Sequence, residues 1–216
     1  MSWRSYVFPQ IITITSSPYN HHIRVNEEWG KMKLIVNGSP QSGTYIEMLW
    51  QNAMNHFALE SIPIQSVLIL GLGGGTVLHM LEKRFPGIKE TCVEIDKTII
   101  DIAKKYFELS DIPHLMIVHE DAKVSVRRLA KQRKTFDCVI VDLSFGRNIP
   151  SFVGDQEFLK EIRKMILPNG CLLVNYLREK EYKEKSDFLQ NTLKTIFPIV
   201  QDFEIANNRF FYARLM

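Results

Sequence analysis

Short runs that alternate apolar and polar residues occupy the first part of the chain. Three such runs, at 11–15, 23–25 and 32–36, are separated by Ser-Pro, Trp-Gly and Asn-Gly-Ser-Pro. A period of two with glycine and proline between the runs is typical of antiparallel strands. We therefore predict a small N-terminal antiparallel β element over residues 1–43. It is too small to be stable alone, so it should pack on the rest of the chain.

The pattern then changes to continuous apolar runs that alternate with amphipathic stretches. A helix is predicted over 44–59, with Tyr45, Met48, Leu49 and Met54 on one stripe. The later strand-like runs lie at 67–70, 91–94, 116–118, 138–141 and 171–174, and the helices lie at 77–84, 97–107, 124–132, 155–165 and 183–196. Continuous apolar runs between helices predict a parallel sheet that is covered on both faces.

The end of the chain is different again. Two segments, 199–205 and 209–215, flank Asn207-Asn208 and predict an antiparallel hairpin. A doubly wound, mostly parallel α/β sheet of seven strands that ends in a hairpin is similar to the class I methyltransferase fold, which is Rossmann-like. We predict this fold for residues 44–216, while function has to be argued from the site.

Composition and charge exclude several classes of protein. With 45% hydrophobic and 11% aromatic residues, a chain of 216 residues is folded rather than disordered. A net charge of +3 is too small to indicate nucleic acid or an anionic membrane as a partner. No apolar run approaches the roughly 20 residues of a membrane helix. Pro9 and Pro18 interrupt the first segment, so it does not resemble a secretory signal.

Three cysteines, Cys92, Cys138 and Cys171, each lie inside an apolar run. Their odd number and unrelated spacing fit neither a disulfide framework nor a zinc site. We therefore expect buried reduced thiols and a cytoplasmic protein. The six histidines show no ligand spacing such as HExxH, and no metal site is expected.

Ligands of doubly wound sheets bind beyond the carboxyl ends of the strands, so the residues that close each predicted strand are the candidate site. The first strand runs into the glycine turn 71–75, where a ligand can approach the backbone and a helix start offers free N–H groups. The alternative is a plain tight turn. The second strand ends at Glu94, whose carboxylate suits two ribose hydroxyls unless it is simply solvated. Asp96 is better placed as a helix N-cap.

The third and fourth predicted strands also end in acidic residues. Glu120-Asp121-Ala122 closes the third, where a carboxylate can accept the amino group of an adenine or, alternatively, cap the next helix. Asp142 closes the fourth, near the middle of the cleft. Because several carboxylates repel phosphates, a positively charged nucleoside fits this edge better. The strand ends therefore point to S-adenosylmethionine or its decarboxylated form.

Nearly the whole chain resembles the spermidine synthase family, the polyamine aminopropyltransferases and their relatives. The segments that carry the resemblance are 17–20, 34–38 with Gln41, 45–48, 71–75, 93–96, 120–122 and 141–142. The resemblance implies an N-terminal β element before a Rossmann-like domain. It implies that Glu94 holds the ribose, that Asp121 and Ala122 hold the adenine, and that Asp142 is the catalytic aspartate, which accepts a proton from the attacking amine.

From strand ends and resemblance together we take two sets of candidate site residues. The candidate cofactor-binding residues are Gln41, Gly71, Gly73, Gly74, Gly75, Glu94, Ile95, Asp121 and Ala122, and the candidate catalytic residues are Asp142 and Tyr45. Tyr45 either lines the acceptor pocket or is a core aromatic on its helix.

Three positions depart from the aminopropyltransferase pattern. Gly74 stands where the family has an aspartate that meets the cationic amine of the decarboxylated donor. Phe145 replaces the second aspartate of Asp-Ser-Ser-Asp-Pro, and Ile46 replaces a glutamine or histidine. Asn20, in place of a glutamine, is a milder change. The three larger changes remove groups that bind ammonium, whose unpaired burial is costly. The glycine turn and residues 93–96 also resemble spermidine-synthase-like methyltransferases of protein substrates.

We therefore interpret the chain as a spermidine-synthase-like transferase, first as a methyltransferase that uses S-adenosylmethionine and acts on an amine or other nucleophile positioned by Asp142. The alternative is an aminopropyltransferase that uses the decarboxylated donor. A further alternative is a non-catalytic nucleoside-binding module, which a retained Asp142 disfavours.

The expected partners are the nucleoside-sulfonium donor and an acceptor that the sequence does not identify. A homodimer is left open, and neither a membrane nor nucleic acid is expected. The loop 143–154 would lie over the cleft, either as a lid or as an ordinary surface connection. Arg147 in that loop suggests an acceptor that carries a carboxylate.

Overall fold

The computed structural model describes residues 3–215 and contains two β-sheets. The smaller sheet is antiparallel, in the order β1-β2-β3-β4, with β1 at Gln10–Thr15, β2 at Ile23–Glu28, β3 at Lys31–Val36 and β4 at Ser39–Pro40. Three of these strands are the alternating runs of the sequence. Residues 1, 2 and 216, at the ends of the two predicted regions, lie outside the described residues.

The small sheet packs on the rest of the chain, as expected from its size. The side chains that form this contact are Ile23, Val25, Leu34 and Val36 of β2 and β3, with Ile99 and Ile102 of the helix at Lys97–Tyr106. All six are buried. The sheet therefore shares its core with the helix that comes after the second strand of the large sheet.

The large sheet has seven strands and confirms the predicted Rossmann-like fold. Its strands are β5 Ser66–Leu70, β6 Lys89–Glu94, β7 Leu115–His119, β8 Phe136–Val141, β9 Ile166–Leu177, β10 Ile199–Ile205 and β11 Asn208–Arg214, in the order β10-β11-β9-β8-β5-β6-β7. Strands β5 to β9 are parallel. Strand β11 is antiparallel to both of its neighbours, β9 and β10, so β10 runs in the same direction as the parallel strands. Since β5 lies between β6 and β8, the strand order reverses there, which is where such sheets bind ligands.

Helices cover both faces of this sheet. They are α1 Thr44–His56, α2 Thr76–Arg84, α3 Lys97–Tyr106, α4 Ala122–Lys131, α5 Gln156–Lys164 and α6 Lys183–Ile196. Side chains of α1, α2 and α3 form one core with one face of the strands, and those of α4, α5 and α6 form a second core with the other face. Cys92, Cys138 and Cys171 are buried free thiols in the first core, which confirms the prediction for them.

Two local predictions were wrong. On α1 the buried stripe is Leu49, Trp50, Ala53 and Met54, whereas Tyr45 is 41% and Met48 39% exposed. The predicted stripe was rotated because Trp50, the largest side chain of the helix, faces the core. In the terminal hairpin Ile205 pairs with Asn208, so the turn is at 206–207 and Asn208 already belongs to β11. Ala206 adopts a left-handed conformation there, with φ 51°.

Within residues 3–215, no helix combines the length and the apolar character needed to cross a lipid bilayer. The same part of the chain contains no group of three or more His, Cys, Asp or Glu side chains that could hold a metal ion.

Candidate functional site

Two adjoining cavities lie beyond the carboxyl ends of β5, β6, β8 and β9. The first cavity is lined by Asn20, Leu34, Val36, Gln41, 71–73, 93–95, Ile99, Asp121, Ala122, 142–145, Pro150 and Phe152. The second cavity is lined by 39–41, Tyr45, Ile46, 142–144, 146–147, Ile149, 175–177, Glu179, Asn207 and Asn208. The wall that they share consists of Gln41 and residues 142–144.

The glycine turn after β5 forms part of the first cavity through Gly71 and Gly73. Both glycines are in the left-handed region, with φ values of 101° and 53°. A Cβ atom at Gly71 would lie 2.1 Å from the carbonyl oxygen of Asp142, and one at Gly73 would lie 2.8 Å from that of Gln41. The turn therefore needs glycine at both positions so that three chain segments can meet.

Gly74 and Gly75, the other two predicted glycines, lie outside the lining of the first cavity. A Cβ atom at Gly74 would point away from that cavity, 2.6 Å from Cβ of Ser42 and 3.0 Å from the ring of Phe107. At Gly75 it would meet Leu109 at 2.5 Å. A Cβ atom at position 74 would thus require Ser42 or Phe107 to shift.

Glu94 lies at the end of β6, on the wall of the first cavity, with Ile95 beside it. Its Oε2 accepts a hydrogen bond from the backbone N–H of Leu72 at 3.0 Å, and its Oε1 accepts one from that of Asp96 at 2.9 Å. Burial raises the pKa of this carboxyl, while the backbone N–H groups act in the opposite direction. The carboxylate is therefore held in a fixed position between the glycine turn and the start of α3.

The two acidic residues after β7 have separate roles. Asp121 and Ala122 line the first cavity, and Oδ1 of Asp121 also accepts the backbone N–H of Val124 at 3.0 Å, which caps α4. Glu120 is bound instead to Arg128 at 2.8 Å and to the hydroxyl of Ser125. The predicted nucleoside position and the predicted N-cap are therefore combined in one residue, Asp121.

Asp96 links the small sheet to the large one. Its Oδ1 caps α3 by accepting the backbone N–H of Thr98 at 2.9 Å, as predicted from the sequence. Its Oδ2 accepts the hydroxyl of Ser17 and the amide of Asn20, the latter at 2.8 Å. Since Asn20 also lines the first cavity, this contact fixes one of its walls.

Asp142 comes directly after β8 and faces both cavities. The indole N–H of Trp50 donates to its Oδ2 at 3.2 Å, and the amide of Asn175 donates to its Oδ1 at 2.9 Å. Part of its surface is open to the cavities, but protein surrounds it on all other sides. This burial raises the pKa of the carboxyl, and the two hydrogen bonds oppose the shift.

Gln41 spans the boundary between the cavities rather than one of them. Its amide donates to the carbonyl oxygen of Gly146 at 3.0 Å, and its side-chain oxygen accepts the hydroxyl of Ser144 at 3.1 Å. Nearby, the rings of Tyr19 and Phe145 are stacked with centroids 6.2 Å apart. The loop after β8 is thus fastened to the small sheet by both contacts.

The second cavity carries charge at two places, Asp142 and an ion pair between Arg147 and Glu179. The guanidinium that suggested an acidic acceptor is thus already paired, and the hydroxyl of Tyr182 holds the backbone of the same loop by donating to the carbonyl oxygen of Arg147 at 2.7 Å. Tyr45 lies on the lining at the first turn of α1, so it is not a core aromatic.

The sequence interpretation overlooked three residues of this site: Trp50, Asn175 and Asn208. Asn175 comes directly after the apolar run of β9, as Asp142 comes after that of β8. The same search among the residues that close each predicted strand would therefore have found Asn175. Asn208 donates to the side-chain oxygen of Asn175 at 2.8 Å. Trp50 gave no signal in the sequence, because a buried tryptophan on a helix stripe usually belongs to a core.

The chain is similar to known proteins over most of its length. The sequence profile of the spermine/spermidine synthase domain matches residues 47–215. The polyamine aminopropyltransferase of Pyrobaculum arsenaticum is 26% identical over 212 residues, which cover 94% of this chain and 73% of that protein. The eEF1A lysine and N-terminal methyltransferase homolog of Drosophila melanogaster is 30% identical over 152 residues, which cover 67% of this chain and 22% of that protein.

Among solved structures, that of a spermidine synthase from Thermotoga maritima superimposes with a TM-score of 0.76 at 19% identity, covering 95% of this chain and 72% of that one. This likeness supports the fold. Taken together, the comparisons support the aminopropyltransferase alternative better than the methyltransferase interpretation. The matching profile is named for the synthases, and the relative that spans nearly the whole chain is an aminopropyltransferase.

Proposed function

The chain belongs to the spermine/spermidine synthase family, and from this premise we propose that it transfers an alkyl group from a nucleoside sulfonium donor to an amine acceptor. The observation that carries the proposal is the position of Asp142, which lies on the wall that the two cavities share. A donor in the first cavity and an acceptor in the second would meet at this carboxylate. In the same proposal, residues 1–43 and 44–216 are two structural units, and side chains from both line the site.

The residues of the first cavity suit a cationic nucleoside. Glu94 is fixed by two backbone N–H groups and can accept the ribose hydroxyls, while Asp121 and Ala122 suit the adenine. Gly71 and Gly73 lie on the lining, where a ligand can approach the backbone of the turn closely. The charged side chains of this lining are carboxylates, which attract a sulfonium and repel a phosphate.

The proposed chemistry is a displacement at carbon. A bound sulfonium donor supplies the electrophilic carbon: the amine nitrogen forms a bond to it, and the electron pair of the broken carbon–sulfur bond stays on sulfur as a neutral thioether. The second cavity orients the amine, and Asp142 accepts the proton that the alkylated nitrogen gives up. Holding both reactants in line across the shared wall contributes most of the rate enhancement.

Aminopropyl transfer is the first candidate reaction, because the matching profile and the relative that covers most of the chain are named for it. In this case the donor is decarboxylated S-adenosylmethionine and the acceptor is a diamine or polyamine. Of the two acids on the lining of the second cavity, Asp142 would meet an ammonium group directly, whereas Glu179 is paired with Arg147.

Methyl transfer from intact S-adenosylmethionine is the second candidate, and a specific observation favours it. Position 74 carries no acid that could bind the amine of a decarboxylated donor, and a Cβ atom there would come within 2.6 Å of Ser42 and 3.0 Å of Phe107. Phe145, in the position of another acid of the family, is stacked on Tyr19. A donor that keeps its own carboxylate does not need either acid.

Isothermal titration calorimetry with S-adenosylmethionine and with its decarboxylated form tests both candidates. Preference for the decarboxylated donor, followed by transfer to putrescine, would establish the first candidate. Preference for the intact donor would establish the second and direct the search to protein or small-molecule amines. Binding of neither would refute the proposal. Asp101→Asn, an exposed substitution on α3, is the matched control for variants of Asp142 and should bind as the wild type does.

A further inference from the structure

Both oxygens of Asp142 are occupied by uncharged donors from distant parts of the chain. Trp50 belongs to α1 and reaches Oδ2 at 3.2 Å, whereas Asn175 belongs to β9 and reaches Oδ1 at 2.9 Å. Trp50 is completely buried, and its ring packs edge-on against Phe210 with centroids 5.0 Å apart. The indole therefore has a fixed orientation, and its N–H points at the carboxylate.

The amide of Asn175 is itself fixed by a third residue. Asn208, the first residue of β11, donates to the side-chain oxygen of Asn175 at 2.8 Å. With that oxygen engaged, the NH₂ group has to face Asp142. The reverse orientation would set two acceptor oxygens against each other at Asp142 and two NH₂ groups against each other at Asn208.

We propose that Trp50 and Asn175 are positioning residues that aim and stabilise the carboxylate of Asp142 at the boundary of the two cavities, with Asn208 fixing the amide of Asn175. This role rests on the proposed function, because it matters only if Asp142 meets the sulfonium and the amine.

Asp142 needs these two donors because its carboxylate is buried. Burial raises the pKa of Asp142, and the hydrogen bonds from Asn175 and Trp50 offset part of this rise. A hydrogen bond to a charged group is strong enough that losing one raises the pKa of the carboxyl by about one unit or more. Without the two donors, Asp142 would hold a proton over part of the pH range in which it has to accept one.

Other ionisable groups face the same region, and a test has to separate them from Asp142. They are Cys92 and Glu94 of β6, Asp121 before α4, Tyr45 of α1, Arg147 of the loop after β8, and Tyr176 and Glu179 on or just after β9. Trp50 and Asn175 donate to Asp142, so their removal should act on its titration first.

The test compares a cationic nucleoside with its neutral counterpart. Calorimetry from about pH 5 to about pH 9 gives the Kd of S-adenosylmethionine and of S-adenosylhomocysteine, whose thioether is uncharged, and the ratio isolates the sulfonium charge. If only the decarboxylated donor binds, it is paired with S-adenosyl-3-thiopropylamine, the thioether that keeps the aminopropyl group and lacks only the S-methyl group. The preference for the cation should rise as Asp142 ionises, and Asp142→Asn should abolish this rise, which identifies its midpoint.

Trp50→Phe should move this midpoint upward by about one pH unit, Asn175→Leu should do the same, and Asn208→Ala should give a smaller shift in the same direction. Phe210→Leu is the matched control: it removes packing from the same indole and keeps its N–H, so it should lower Tm without moving the midpoint.

An unmoved midpoint in Trp50→Phe, or an equal shift in Phe210→Leu, would overturn the positioning role while leaving the proposed function intact. Failure of the wild type to bind any of the nucleosides would instead refute the proposed function, and the positioning role with it.

Discussion

Glu94 and Glu90 lie on the same face of β6, but they differ in whether hydrogen-bond donors stabilise the carboxylate. Glu94, at the carboxyl end, has both oxygens bound by backbone N–H groups and lies on a cavity wall. Glu90, four residues earlier and about 13 Å away along the strand, is 1% exposed, and neither of its oxygens has a hydrogen-bond partner among the described residues. Cys92 is buried between them.

The difference shows why the candidate site lies at one end of the sheet. Beyond the carboxyl ends, turns and helix starts provide N–H groups that stabilise a carboxylate near a cavity. Inside the sheet the backbone N–H groups are used by neighbouring strands, so a side-chain acid finds no donor. Burial and the nearby Glu82 raise the pKa of Glu90 to about 8, and it is a carboxylic acid at neutral pH.

The largest expected effect is the loss of transfer rate on substitution of Asp142, the acid that Trp50 and Asn175 stabilise. Asp142→Asn keeps the shape of the side chain but cannot accept a proton, so the rate of transfer should fall by about 10³-fold. Nucleoside affinity should change much less, because Asp142 contributes one part of the cavity wall. The measurement is kcat with the acceptor found by calorimetric screening, and a transfer rate close to that of the wild type would remove Asp142 from the mechanism.

The next largest expected effect is the pH dependence of the stability of the folded protein, which Glu90 causes. Its pKa rises from an ordinary 4.5 in the unfolded chain to about 8 in the folded protein, so the folded state binds the proton more tightly. The stabilisation is complete below pH 4.5 and is lost as pH rises towards 8. The loss is at most about 1.4 kcal/mol per pH unit.

Glu90→Gln removes this dependence, since an amide does not titrate in that range. Thermal unfolding of the wild type and the variant between about pH 5 and pH 8 should show the wild type losing Tm relative to the variant as pH rises. Glu157→Gln, at an exposed acid of α5, is the control and should run parallel to the wild type. Parallel curves for Glu90→Gln as well would mean that Glu90 finds a partner in solution.

The contrast between the two ends of β6 also explains what the sequence could predict. Apolar runs located the five parallel strands of the large sheet, and the residues that close the predicted strands identified Glu94, Asp121 and Asp142 as candidates. The run at β6 was predicted to begin at residue 91, whereas the strand begins at Lys89. An acid beside a lysine looks like the solvent boundary of a strand, whereas Glu90 is 1% exposed and lies near Glu82 of α2.

The sequence pattern also did not predict the direction in which individual side chains point. Gly74 was interpreted as facing the donor, but the geometry of the turn points that position at Ser42 and Phe107. The bond from Trp50 to Asp142 joins α1 to the end of β8, 92 positions apart. A contact of this kind depends on how a helix packs against the sheet, which a periodic pattern does not encode.

Glu94→Gln should have a smaller effect than the two changes above. The substitution removes the negative charge and sets an NH₂ group against one of the two backbone N–H donors. Nucleoside affinity should fall by about tenfold to a hundredfold, the range expected for hydrogen bonds to a charged group. The same loss should appear for the neutral thioether product, because the ribose is common to both ligands. A loss confined to the sulfonium would assign Glu94 to charge rather than to the ribose.

Asp121 should give the smallest effect and the sharpest separation of two roles. Its Oδ1 caps α4 through the N–H of Val124, and asparagine is as good an N-cap as aspartate, so Asp121→Asn should leave Tm unchanged. Nucleoside affinity should still fall by about threefold to tenfold if the carboxylate accepts the adenine amino group, since a net hydrogen bond contributes about 1 kcal/mol. Asp121→Ala should lose the same affinity and, in addition, about 1 kcal/mol of stability. Calorimetry and thermal unfolding of the two variants distinguish the outcomes. If Asp121→Asn binds as tightly as the wild type, Asp121 is a helix cap that happens to line the cavity. The nucleoside would then be held by Glu94, whose oxygens accept backbone N–H groups without capping a helix.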